Sequence, residues 1–179
     1  PGMENVTPVI LQAHMDMVPQ KNNDKVHNFE TDPIETIIDG DWVRANGTTL
    51  GADNCIGVAA GMAIIESNDI QHGPLELFIT ADEETGMYGA FGLEPGTLQG
   101  KLLMNMDSED FGELYVGCAG GMDATIEWKY QGVALPVGDI ALKVNITGLK
   151  GGHSGLEINL GRANANKLLF RFLKEAVSQ

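Results

Sequence analysis

The run Val9-Ile10-Leu11-Gln12-Ala13 delivers His14 and then, two positions on, Asp16. A β-branched, apolar stretch of this kind reads as a strand. In a strand, residues i and i+2 point to the same face, so His14 and Asp16 emerge side by side at its end. A metal-bound imidazole usually donates its second ring N–H to a carboxylate, which fixes the tautomer and raises its basicity as a ligand. A strand-end His-x-Asp can supply both members of that pair. Alone, it would equally describe a half-buried histidine with an acidic neighbour.

Three further acidic clusters decide between these readings. Asp53 lies in Gly51-Ala52-Asp53-Asn54, Glu83 and Glu84 follow the alternating run Leu75 to Thr80, and Asp107 follows the run Leu102 to Met106. Each falls at the carboxyl end of a strand-like run or in the loop after one. Such loops form the sites of open α/β sheets. One acidic loop is a solvated turn, whereas four in phase make a metal-site candidate. Asp53, Glu84 and Asp107 carry three negative charges, and with a bridging hydroxide they balance two divalent cations. Imidazole and carboxylate donors suit zinc, with cobalt or manganese as substitutes. In the Glu83–Glu84 pair, one carboxylate would bind metal while the other takes a proton from the attacking water and passes it to a leaving amine.

The 179 residues carry a formal net charge of -14, which argues against nucleic acid or an anionic membrane as partner. No apolar run approaches the roughly 20 residues that span a bilayer. Two cysteines in unlike contexts, Cys55 and Cys118, give no disulfide framework and point to a reducing, cytoplasmic compartment.

Strand-like runs (Thr7 to Ala13, Trp42 to Ala45, Leu75 to Thr80, Leu102 to Met106) are punctuated by a helical pattern from Ile56 to Ser67. That order predicts an α/β sheet with helices on its faces. The texture shifts near Gly117 to Gly121. Two alternating stretches, Ala124 to Tyr130 and Ile140 to Ile146, then read as strands, and a helix is expected from about Leu160 to Val177 with a stripe of Leu168, Leu169, Phe172 and Leu173. The expected division is residues 1–120 as a metal-binding catalytic domain and 121–179 as the start of a small α+β domain.

On these residues the chain resembles the M20 metallopeptidases, and within them the aminoacyl-histidine (Xaa-His) dipeptidase group. The segments AHMDMVPQKN, WVRANGTTLGADN, ADEETGMYGAFGL, NMDSEDFGELYVGCAGG and LKGGHSG carry the resemblance. It implies a zinc-exopeptidase-like sheet followed by part of a lid and dimerisation domain. It also implies that His14, Asp53 and Asp107 hold one zinc, and that Asp53 bridges to a second held by Glu84. Asp16 would orient His14, Glu83 would be the general base, His153 would bind the substrate carbonyl oxygen or terminal carboxylate, and the Asp53–Asn54 peptide would be cis. The implied activity is hydrolysis of dipeptides by a homodimer, with N-acyl amino-acid deacylation or a non-catalytic module as alternatives. The second zinc's remaining histidine belongs to a later segment of the family pattern. The chain thus reads as an internal fragment, inactive alone. Cys55 stands where relatives often have glycine and is expected to be an incidental buried residue, with an oxidation-sensitive thiol as the alternative; His27 and His72 are expected to be loop residues.

Overall fold

The computed structural model describes residues 2–118, 120–153 and 157–178. Two compact units divide the chain, residues 1–115 and 116–179.

The first unit is built on a parallel sheet. Its central strand β1 (Val9–His14) pairs with β4 (Leu75–Thr80) on one side and β5 (Leu102–Asn105) on the other. A parallel sheet is covered on both faces, so its strands read as continuous apolar runs. Accordingly Ile10 is buried on one face, and Leu11 and Ala13 are buried on the other. The strand runs one residue further than expected and carries His14 within it. Before α1 (Ala52–Glu66), the antiparallel hairpin β2 (Thr36–Asp39) and β3 (Trp42–Ala45) turns through Gly40 and Asp41. Strand β2 had no counterpart among the expected elements.

Helix α1 covers the Leu11, Ala13 and Leu77 face. A Cβ on Gly57 would stand 3.1 Å from the Ala13 Cβ, and one on Gly61 would stand 2.5 Å from Leu77 Cδ1. Glycine at these two positions lets the helix backbone lie against the strands. Over the opposite face lie α2 (Glu83–Gly86) and α3 (Tyr88–Phe91). There Met87 and Ala90 line a cavity of about 160 Å³ together with Gln12, Phe78 and Leu103. A polar row crosses this face: Asn105 donates to Gln12 at 2.5 Å, and Gln12 donates to Thr80 at 3.3 Å. The sheet therefore carries helices on both faces, as an α/β fold requires.

The second unit departs from expectation. Residues 124–130 and 140–146 form no strand. An alternating pattern becomes a strand only where a neighbouring edge takes its N–H and C=O groups. Here Ile126, Trp128, Ile140 and Leu142 are exposed, and no partner strand lies alongside among the described residues. The helix α4 spans Ala165–Val177, five residues later in its start than expected. A 3₁₀ turn at Ile158–Leu160 and the left-handed Gly161 precede it. Asn164 then caps it by accepting the Lys167 N–H at 3.0 Å, which fixes the start of the helix. Leu168 and Leu169 of the apolar stripe are half-buried, while Phe172 and Leu173 are exposed. Among the described residues, no helix is long and apolar enough to cross a membrane.

Candidate metal centre

Because β1 lies between β4 and β5, the loops after all three strands open at one edge of the sheet, where the chain's direction of progress reverses. Such a switch point is where open α/β sheets place ligands. His14, the last residue of β1, is 1% exposed and stands at that point. Its Nε2 is 3.0 Å from Asp53 Oδ1, at the start of α1, and 3.6 Å from Asp107 Oδ1, in the loop after β5. Glu83 and Glu84 open α2, with two residues between it and the end of β4. Two groups of three donors result, His14–Asp53–Asp107 and His14–Glu83–Glu84, each with its ligand atoms within 4.8 Å of one another. All four expected ligands thus gather at the same edge. The first group is the one expected around one zinc. Glu84 groups with His14 and Glu83, and the Asp53 carboxylate is near enough to act on its charge.

Asp16 lies past the strand and works differently from expectation. His14 Nδ1 donates at 3.0 Å to the backbone carbonyl of Asp16, and the Asp16 carboxylate is 3.5 Å from the same nitrogen. The carboxylate instead accepts two backbone amides, Glu83 N–H on Oδ1 and Glu84 N–H on Oδ2, each at 3.1 Å. Burial works to raise the Asp16 pKa, but the Glu84, Glu83 and Asp16 amides and the His14 ring together lower it.

This arrangement fits a cation. A carbonyl has no proton to give, so Nδ1 must carry the ring proton of a neutral imidazole. Nε2 then aims its lone pair at Asp53 and Asp107, leaving acceptor against acceptor unless a proton or a metal ion lies between. The carboxylates show the same crowding. Burial, together with the Asp53 carboxylate, pushes Asp107 up to about 6 against the opposing effect of His14. Burial, then Asp53 and Glu83, raise Glu84. Burial opposes charge on His14, yet Asp107, the Asp16 carbonyl and Asp53 together raise its pKa.

The Asp53–Asn54 peptide is cis, as the resemblance implies. Asn54 is a residue that sequence reasoning missed. It is buried, and its Nδ2 donates to the Met106 carbonyl at 2.8 Å, which ties the start of α1 to the residue before Asp107. The signal available was its place beside Asp53. Cys55 is exposed, with its thiol 3.7 Å from the Met15 carbonyl. The expectation of a buried thiol is corrected, because the irregular backbone at Asp53 and Asn54 turns Asn54 inward and Cys55 out. His27 packs edge-on against Phe29 and His72 bonds the Gly73 carbonyl, both in loops. His153 belongs to the second unit, where its N–H donates to Glu157.

A model of peptidase family M20/M25/M40 matches residues 10–154. The chain is 58% identical over 172 residues to the cytosol non-specific dipeptidase of Escherichia coli (strain K12), covering 96% of this chain and 36% of that protein. It is similar at 28% identity over 112 residues to the uncharacterized protein YqjE of Bacillus subtilis (strain 168), covering 60% of this chain and 28% of the other. The crystal structure of the aminoacylhistidine dipeptidase from Vibrio alginolyticus superposes with a TM-score of 0.66 at 53% identity, covering 97% of this chain and 35% of the other. The chain therefore spans about a third of the length of the characterised relatives it matches. It belongs to peptidase family M20/M25/M40.

Proposed function

We propose that the whole protein is a metal-dependent dipeptidase. Its substrates would be short peptides with a free amino end, notably those ending in histidine. The convergence of His14 with carboxylates from three separate loops supports the reading most directly. The names of two relatives, a non-specific dipeptidase and an aminoacylhistidine dipeptidase, supply the substrate class.

His14, Asp53 and Asp107 would hold one zinc ion, and Asp53 with Glu84 would contribute to a second. A divalent ion there polarises the scissile carbonyl and lowers the pKa of water. Glu83 takes the proton of the attacking water and returns it to the leaving amine. Asp16 holds the Glu83–Glu84 backbone and the His14 ring in place. His153 donates to the carbonyl oxygen or terminal carboxylate of the substrate. A homodimer and a cytoplasmic location complete the proposal; the first rests on the family resemblance, the second also on the E. coli relative's name.

The test is hydrolysis by the whole protein, stripped with a chelator and then reloaded with zinc, of histidine-ending dipeptides, other dipeptides and N-acyl amino acids. Zinc-dependent cleavage with preference for the first set is expected. Cleavage of N-acyl amino acids alone, or activity that survives chelation, would overturn the reading.

A further inference from the structure

Glu157 and Arg162 make a pair that the activity above does not use. Arg162 Nη1 donates to Glu157 Oε2 at 2.8 Å and Nη2 donates to Oε1 at 2.6 Å. This is the two-pronged geometry that fixes orientation as well as charge. Both side chains are partly buried, at 21% and 33% exposure, unlike the freely solvated pairs that contribute little.

The pair also grips the chain around His153. Glu157 Oε2 accepts the His153 N–H at 2.8 Å, and the Glu157 N–H donates to the His153 carbonyl at 3.0 Å. Arg162 donates in addition to the Gly151 carbonyl. Between these anchors sits Gly152, where a Cβ would fall 2.0 Å from Arg162 Nη1 and 2.6 Å from Glu157 Oε2. No side chain fits there while the pair is closed. The 3₁₀ turn and the left-handed Gly161 turn the chain back so that Arg162 reaches this loop.

We propose that Arg162 and Glu157 are positioning residues that set the backbone of His153 and so aim its imidazole at substrate. The inference rests on the dipeptidase reading for what His153 contacts, but the clamp itself is independent of it. A misplacement of about 1 Å at a contacting group can cost on the order of 10²-fold in rate.

In the whole protein, Arg162→Ala should lower kcat/KM by about tenfold or more, with zinc content unchanged. The loss should fall on the same parameter, kcat or KM, as that of His153→Ala. The double variant should be no worse than His153→Ala alone, since residues that share one task are not additive. Arg162→Lys should recover part of the loss, because an ammonium cannot make the planar fork; it also carries the comparison if the alanine variant does not fold. Amide exchange at His153 should quicken in both Arg162 variants. Unchanged exchange, or additive losses in the double variant, would overturn the proposal. If the parent cleaves no dipeptide the dipeptidase reading fails, and exchange at His153 then decides the clamp by itself.

Discussion

The carboxylate of Asp16 accepts the backbone N–H of Glu84 at 3.1 Å while its other oxygen accepts that of Glu83 at the same distance. The same residue's carbonyl takes the Nδ1 proton of His14. One residue thus sets both the imidazole and the acidic pair. An ionised carboxylate accepts two amides at once, whereas an asparagine offers one oxygen and a nitrogen that repels the second N–H. Asp16→Asn should therefore lower kcat by about 10- to 100-fold, the usual effect of losing a group that orients metal ligands. The check is steady-state kinetics beside zinc analysis on the same preparation. Activity within a factor of two of the parent would show that the amides do not need the carboxylate.

Glu83 opens α2 beside Glu84 but has the separate task of moving a proton. Glu83→Gln keeps the shape and a hydrogen-bonding tip and removes the basic oxygen. Turnover should fall by about 10²–10⁴-fold while zinc content measured by atomic emission stays at the parent level. A variant that loses its zinc in parallel with activity would make Glu83 a ligand instead.

The strands that carry the site were legible because each is a short apolar run ending at an acidic loop. The long α1 was legible from its helical spacing. Asp16 does lie beside His14, but strand periodicity placed its carboxylate against the ring. The strand stops at His14, so the i, i+2 rule no longer governs Asp16, and its carboxylate turns to the amides. Strand β2 was missed because Thr36 to Asp39 is short and largely exposed, although Asp39-Gly40-Asp41 is a hairpin turn signal. The alternation in 124–130 and 140–146 misled for the opposite reason. It reports a face that could be buried, and burial also needs a partner edge.

Close helix–strand contact beneath the site should make Gly57 intolerant of even one methyl group. A Cβ there would meet Asn54 Oδ1 at 2.5 Å and the Met106 carbonyl at 3.1 Å. Asn54 cannot turn aside without breaking its bond to Met106. Alanine would gain about 1 kcal/mol of helix propensity, and overpacking of about 1–3 kcal/mol should exceed it. Gly57→Ala is expected to unfold at lower denaturant than the parent. Gly61→Ala should cost less, since Leu77 Cδ1 is the end of a side chain that can rotate. Equal stability of Gly57→Ala and the parent would show that the helix can lift from the sheet.

Acid should open the His153 loop later than an ordinary glutamate would suggest. The Arg162 guanidinium, then the His153 N–H, hold the Glu157 carboxyl below its usual value of 4.5. A carboxyl depressed in the folded chain stabilises above its unfolded pKa, and that contribution is lost as pH falls through the depressed value. The charged neighbours facing Glu157 are Arg162 and His153. The midpoint of the acid transition followed by NMR at the Glu157 carboxyl carbon should lie below 4.5. Arg162→Ala should bring the transition up towards 4.5, and an identical midpoint in both proteins would refute the assignment.

Metal binding should depend unequally on the two ends of the site, because His14 belongs to both donor groups and Glu84 to one. Removing the imidazole takes away the nitrogen donor common to both groups among the described residues and leaves carboxylates that repel one another. Titration of zinc into the metal-stripped protein should therefore show no measurable binding by His14→Ala. Glu84→Ala should keep one ion, since His14, Asp53 and Asp107 remain as three protein ligands, the number that supports a stable site with one open position. Asp107→Asn should weaken that retained site, because an amide oxygen lacks the charge that offsets the ion. If His14→Ala bound zinc as tightly as the parent, the carboxylates alone would hold the ion and the imidazole would have another task. If Glu84→Ala lost all binding, the two donor groups would act as one indivisible site.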